Sequence, residues 1–256
     1  MTTKLWVGDF AKEHALPAVR ESVASLDIGY VDLILMHWPF RLTHGTAFPP
    51  PDENKLGYKP EECLETWRAL EAAKGEGIVR SIGVSNFTAK KINALVAAGA
   101  SVPSVNQVEM HPCLAQAALV DYCAGAGIVL TAYSPLGSPG RPERLRAADD
   151  PVPMEEKAVV DAAAAHGKSA AQVLIRWCTQ RGVVCIPKSV TPSRIEANGA
   201  IFDFTLSADE MAAILALDRG SAGRLLRGGI FVKEGEDPAS LWDGEPEAVE
   251  AFKAKA

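Results

Sequence analysis

The sequence is poor in several features that would have marked other classes of protein. No apolar run approaches the roughly eighteen residues that a membrane-spanning helix needs. The N-terminus has no charged-then-apolar-then-small layout of a secretory signal, so a cytoplasmic location is the expectation. Cysteine is scarce. Cys63, Cys113, Cys123, Cys178 and Cys185 never fall in a CxxC pair, and their mostly apolar surroundings suit reduced core thiols rather than disulfides or zinc ligands. Excess positive charge is missing too. With 26 Lys+Arg against 32 Asp+Glu the net charge is −6, which offers no electrostatic footprint for nucleic acid. No G-x-G-x-x-G follows an apolar run, which disfavours a doubly wound dinucleotide fold. Asn86-Phe87-Thr88 reads as a glycosylation sequon, idle outside a secretory context.

What is present is a chain of 256 residues in which apolar runs without helical period alternate with amphipathic stretches. Tyr30 to Pro39, YVDLILMHWP, is the most telling. Its run of strand formers reads as a strand buried on both faces, and Pro39 stops the ladder just beyond His37. In a sheet covered by helices, ligands collect beyond the carboxyl ends of strands, where an imidazole can donate to a substrate oxygen at neutral pH. A core histidine satisfied by a carbonyl is the bland alternative. Further strands are expected at Lys4–Val7 (a tail only), Ile78–Val84, Val105–Met110, Ile128–Tyr133 and Val183–Pro187. Helices are expected from Pro17, over Glu61–Glu76, after a Thr88 cap, over Ala115–Ala124, Met154–His166, Ser169–Gln180 and Pro192–Asn198, and from Ser207 to Leu217. Arg41 to Pro60 is polar and rich in Gly and Pro, too long for a simple connection and therefore a candidate substrate loop. The alternation implies an α/β fold with a parallel sheet and polar residues at one end of every strand, the layout of a (β/α) barrel.

Six motifs at these strand ends make the chain resemble the aldo-keto reductases. They are Thr3-Lys4-Leu5-Trp6, Leu35-Met36-His37-Trp38-Pro39, Gly83-Val84-Ser85-Asn86-Phe87, Asn106-Gln107-Val108-Glu109, Tyr133-Ser134-Pro135-Leu136-Gly137-Ser138 and Ile186-Pro187-Lys188-Ser189. The resemblance implies a (β/α)8 barrel of the TIM type, metal-free reduction of aldehydes and ketones, and NADP(H) as cofactor. It casts Lys4 as the lysine that eases proton transfer and His37 as the residue that orients substrate. Ser85, Asn86 and Gln107 would hold the nicotinamide carboxamide and Tyr133 would stack on its ring. Ser134, Leu136 and Ser138 would line the pyrophosphate path. Lys188, Ser189 and Arg194 would receive the adenosine 2′-phosphate, with Asn198 against adenine. Trp6 and Trp38, with the loop and the tail beyond Gly220, would wall the substrate pocket. A solvated lysine at Lys4, an Asx-type cap at Asn86, a core tyrosine at Tyr133 and plain surface charges at Lys188 and Arg194 remain the competing readings. Where many relatives carry Arg-x-x-Glu-Asn, this chain has Ala197 in place of the acid, which would loosen the clasp over the cofactor.

Set against that family the barrel is expected to be incomplete, lacking two strands and most of a third before Lys4, and with them the proton-donating tyrosine and its aspartate. Residues 1–219 would form the barrel and 220–256 a tail near the substrate pocket. Activity as written is expected to be absent or severely reduced, since removing a general acid costs about a hundredfold to ten-thousandfold. Open edges would also leave large side chains wet, at roughly 1.5 to 3 kcal/mol each. A completing partner chain or a strand-exchanged oligomer would meet that cost. The alternative function is a non-catalytic NADP(H)-binding or scaffold protein, and a barrel isomerase or aldolase rests only on fold analogy.

Overall fold

The computed structural model describes residues 1–244 and divides into two compact units. The first comprises Met1–Asn106, Asp121–Val129 and the chain from Gly228; the second comprises Gln107–Val120 and Leu130–Arg227. The last twelve residues of the expected tail, 245–256, lie outside the described residues.

In chain order the elements of the first unit begin with β1 (Thr2–Leu5), α1 (Lys12–Leu26), β2 (Val31–Met36), β3 (Arg41–Leu42) and β4 (Lys55–Gly57). They continue with α2 (Pro60–Gly75), β5 (Val79–Ser85) and α3 (Ala89–Ala97). Next along the chain, β6 (Val105–Glu109), α4 (Ala117–Gly125) and β7 (Val129–Tyr133) each have residues in both units. The second unit adds α5 (Lys157–His166), α6 (Ala170–Gln180), β8 (Val184–Cys185), α7 (Pro192–Gly199) and α8 (Ala208–Leu215). The main sheet runs β1-β2-β5-β6-β7-β8, so strands adjacent in it follow sequence order, as repeated β-α-β crossovers require. The pairs β1–β2, β2–β5 and β7–β8 are parallel, and β3–β4 is a separate antiparallel ribbon.

The buried core of the first unit is built where the strand runs meet the apolar stripes of the helices. Leu5, Ile34, Leu35 and Met36 are fully buried along β1 and β2, with Trp67 and Leu70 on α2 and Ile92 and Leu95 on α3. Gly83 is required in the middle of β5, since a Cβ there would lie 2.6 Å from the Val105 carbonyl oxygen and 2.8 Å from Leu35 Cδ2. In the second unit Val173, Leu174, Trp177 and Cys178 of α6 and Val159 of α5 are buried. Both Ser169 and Ser207 make reciprocal capping boxes, with Gln172 and Glu210 respectively.

Three local expectations are corrected. The strand expected to include Trp6 and Val7 ends at Leu5, and a 3₁₀ turn (Val7–Asp9) follows. Helix α1 starts at Lys12 rather than Pro17, because Ala15, Val19 and Val23 form the buried stripe; Pro17 is tolerated inside because it lies on the exposed side, where water can take up the carbonyl that loses its partner. The Arg41–Pro60 segment is not a plain loop, since it folds back through β3 and β4.

Gly83→Ala is expected to cost about 1–3 kcal/mol by overpacking. Gly75→Ala, at the end of α2 with open space around its Cβ position, is expected to gain about 0.5 kcal/mol. Urea midpoints moving in opposite directions check the pair; a shared direction contradicts the packing described.

Candidate active site

In the first unit the site is set by the pairing of β1 with β2. Lys4 lies opposite Leu35 and Leu5 opposite Met36, and the ladder continues one step further as the His37 N–H donates to the Leu5 carbonyl at 3.2 Å. Lys4 and His37 are therefore neighbours at two adjacent strand tips. Burial pushes the His37 imidazole down to about 4, and the positive charge of Lys4 adds to the shift. Burial also lowers Lys4. At neutral pH the ring is uncharged, keeping one N–H donor and one acceptor nitrogen. It is flanked by rings, with Trp6 edge-on at 5.4 Å and Trp38 stacked at 6.3 Å between centroids.

The tip of β5 is tied to the same place. Asn86, in the left-handed region at φ 63°, donates Nδ2 to the His37 carbonyl at 2.9 Å and lies 3.2 Å from Ser85 Oγ. The helix cap is Thr88, whose Oγ1 accepts from the Lys91 N–H, so Asn86 is not the Asx-type cap of α3. Ser85 and Asn86 are both buried. The aromatic rings extend outward from Trp6 and Trp38. Phe231 is the hub, within 4.5 Å of Phe40, 5.4 Å of Trp38 and 6.2 Å of both Trp6 and Phe48 by centroid. Trp242 stands edge-on to Trp38 at 5.8 Å. The Arg41–Pro60 segment grips this part of the chain directly: Lys55 Nζ donates to the Val232 carbonyl at 2.8 Å, and Asp52 accepts from the Glu234 N–H at 2.8 Å.

In the second unit Gln107 is buried on β6 and Tyr133 half-buried at the end of β7. Burial, then the negative charge of Glu109, raises the Tyr133 phenol. The following turn winds tightly. Ser134 and Ser138 both sit at positive φ, Gly137 N–H donates to the Ser134 carbonyl at 2.9 Å, and Ser138 Oγ donates to Ser134 Oγ at 2.6 Å, with Leu136 half-buried between them. Further along, Lys188, Ser189 and Asn198 line one cavity of about 380 Å³ together with Pro187, Ile195 and Gly199. Arg194 projects from the exposed part of α7 and is not in that lining.

Two groups escaped the sequence reading. Arg141 donates to the carbonyls of Gly137 and Ser138 and pairs with Asp150, which also accepts from the Ala147 N–H at 2.7 Å and from Arg227 at 3.0 Å. Burial would raise the Asp150 carboxyl, but that N–H and the guanidinium outweigh it and hold it low. Glu109, fully buried, accepts from His111 Nε2 at 3.0 Å and from the Leu225 and Leu226 N–H groups at 2.8 and 2.9 Å. A charge at the end of an apolar strand was the visible signal for Glu109; for Arg141 and Asp150, nine residues apart in an irregular segment, there was none.

Residues 1–219 match the Aldo/keto reductase family. The chain belongs to that family. Over 220 residues it is 44% identical to the rat protein Aldo-keto reductase family 1 member A1, covering 86% of this chain and 67% of the relative. The human protein of the same name gives the same identity and coverage. Among solved structures, the aldo-keto reductase AKR2E4 of Bombyx mori in complex with NADP superposes with a TM-score of 0.76 at 34% identity, covering 88% of this chain and 69% of that one. The fold is thus of the (β/α)-barrel type that the motifs implied.

Because the folded-state pKa of His37 is depressed, the unfolded chain binds the extra proton first as pH falls. Stability is therefore fully present above about pH 6.5 and is lost as pH falls from there towards 4, at up to about 1.4 kcal/mol per pH unit. His37→Gln is expected to flatten this slope by close to one proton. Urea unfolding at pH 7, 6 and 5 measures it, and identical slopes in the two proteins would contradict a neutral, buried His37.

Proposed function

We propose that this chain binds NADP(H) and presents a recess for an aldehyde or ketone at the tips of β1 and β2. The observation that carries the reading is the uncharged imidazole of His37 held beside the Lys4 ammonium within a wall of aromatic rings. When bound, the nicotinamide supplies the hydride. The rest falls to side chains. The His37 N–H orients the carbonyl oxygen, and the Lys4 charge stabilises the negative charge that grows on it. Within the first unit Ser85 and Asn86 offer donors and acceptors of the kind a carboxamide takes; within the second, Gln107 offers the same and the Tyr133 ring a flat face. The residues lining the 380 Å³ cavity fit a phosphorylated ribose: a lysine for the dianion, a serine to share its oxygens and an asparagine for a base edge. The left-handed turn at Ser134–Ser138, clasped by Arg141, suits a pyrophosphate path in which backbone N–H groups face the ligand.

The proton is the weak point of turnover. Burial raises the phenols of Tyr58, Tyr122 and Tyr133, and Tyr30 precedes β2 at the end opposite His37 with Arg80 stacked 3.9 Å over its ring. A phenol that holds its proton more tightly is a poorer general acid. We therefore expect binding of NADP(H) to outrun carbonyl reduction in this chain, and a purely binding role is the second reading.

NADPH fluorescence titration beside an aldehyde-reduction assay tests both: turnover supports reduction, binding without turnover supports the second reading, and no binding sinks both. Lys188→Met is expected to raise the NADPH dissociation constant about tenfold or more, the worth of a charge-assisted bond, while NADH binding stays within about twofold. Equal losses for the two nucleotides would contradict a 2′-phosphate role.

A further inference from the structure

Lys91 follows Thr88 by one turn at the start of α3, with only 2% of its surface exposed, a costly place for an ammonium. Its Nζ donates to Asp243 Oδ2 at 2.7 Å and to the Leu241 carbonyl at 2.9 Å, and lies 5.1 Å from the Tyr58 ring centroid. Thr88 donates its Oγ1 to the same carboxylate oxygen, and Lys90 Nζ lies 3.8 Å from the other. Burial lowers Lys91, and the bond to Asp243 works against that. The two gripped residues bracket Trp242. That indole is held against Trp38, and Leu241 closes on Gly228, where a Cβ would come within 2.7 Å of Leu241 Cδ1. Lys55 and Asp52 fasten the same segment at Val232 and Glu234. Phe231 and Trp242 are thus tied down from either end by buried or half-buried charges, one turn of α3 away from the Ser85–Asn86 tip.

We propose that Lys91 is a positioning residue for carbonyl-substrate specificity: by locking Leu241 and Asp243 it holds Trp242 against Trp38, so that carbonyl compounds bearing an aromatic ring are bound in preference to short aliphatic ones. The inference rests on the reading of the aromatic recess given above. Among the described residues, loss of the ammonium leaves Asp243 with Thr88 and the exposed Lys90, and takes the Lys91 donor from the Leu241 carbonyl. The wall then shifts among several positions. A flat ring loses its fixed partner face, whereas a three-carbon aldehyde makes few contacts with that wall in any position.

The test compares the NADPH-loaded protein with Lys91→Met and, because that change could impair folding, with Asp243→Asn. Hydrogen exchange at the Leu241 and Trp242 amides reads the latch directly, and quenching of tryptophan emission reads binding of benzaldehyde and of propanal. Both variants are expected to exchange these amides at least about tenfold faster and to weaken benzaldehyde about tenfold, with propanal within about twofold, the scale of a lost buried ionic hydrogen bond. Unchanged exchange overturns the latch. Faster exchange with an unchanged ratio of the two aldehydes overturns the specificity role. If the parent protein binds NADPH but neither aldehyde, the recess reading itself fails, while the exchange rates still decide the latch.

Discussion

The parallel pairing of β1 on β2 is the constraint on which the first unit's chemistry depends. Side chains alternate along a strand, so a slip of one residue would turn Lys4 to the opposite face and separate it from His37. The observed register, closed by the His37 N–H on the Leu5 carbonyl, puts a lysine and an imidazole at neighbouring tips. Burial already disfavours a charged ring there, and two neighbouring cations also repel. The ring yields, because an imidazole gives up its proton near pH 6.5 and an ammonium only near 10.4. Neutral His37 and charged Lys4 follow from that ordering.

A second principle runs through the second unit, where backbone shape does the work that side chains do in the first. Positive φ at Ser134, Gly137 and Ser138 coils the chain after β7 into a turn whose carbonyls are occupied by Arg141. Asp150 holds that guanidinium and Arg227 together. At Gly223 a Cβ would stand 1.7 Å from the Cys113 carbonyl oxygen, so only glycine lets that segment lie on the turn after β6, where Glu109 takes the Leu225 and Leu226 N–H groups.

Much of this is legible in the sequence. Apolar runs ending in polar residues marked β2, β5, β6 and β7 to within a residue or so, because strands buried on both faces have no competing period. Thr88 and Ser207 announced their helices through capping chemistry that is local in sequence. Lys188, Ser189 and Asn198 do line one cavity, while Arg194, from the same stretch, faces solvent on α7. Pro17 misled because proline is common at a first helical turn and the sequence alone does not show that its ring faces water. The short β3 and β4 were missed because two or three residues carry no period, and the Lys91–Asp243 pair because a separation of 152 residues leaves no local trace.

The chemistry at the tips of β1 and β2 depends on the charge state of one ring. A two-dimensional nitrogen NMR titration of His37 between pH 7.5 and 4.5 in the folded protein measures it directly. A ring that remains neutral down to about pH 5, and titrates at higher pH once Lys4→Met removes the neighbouring charge, is the predicted result. An imidazole titrating near 6.5, indifferent to Lys4, would contradict the account.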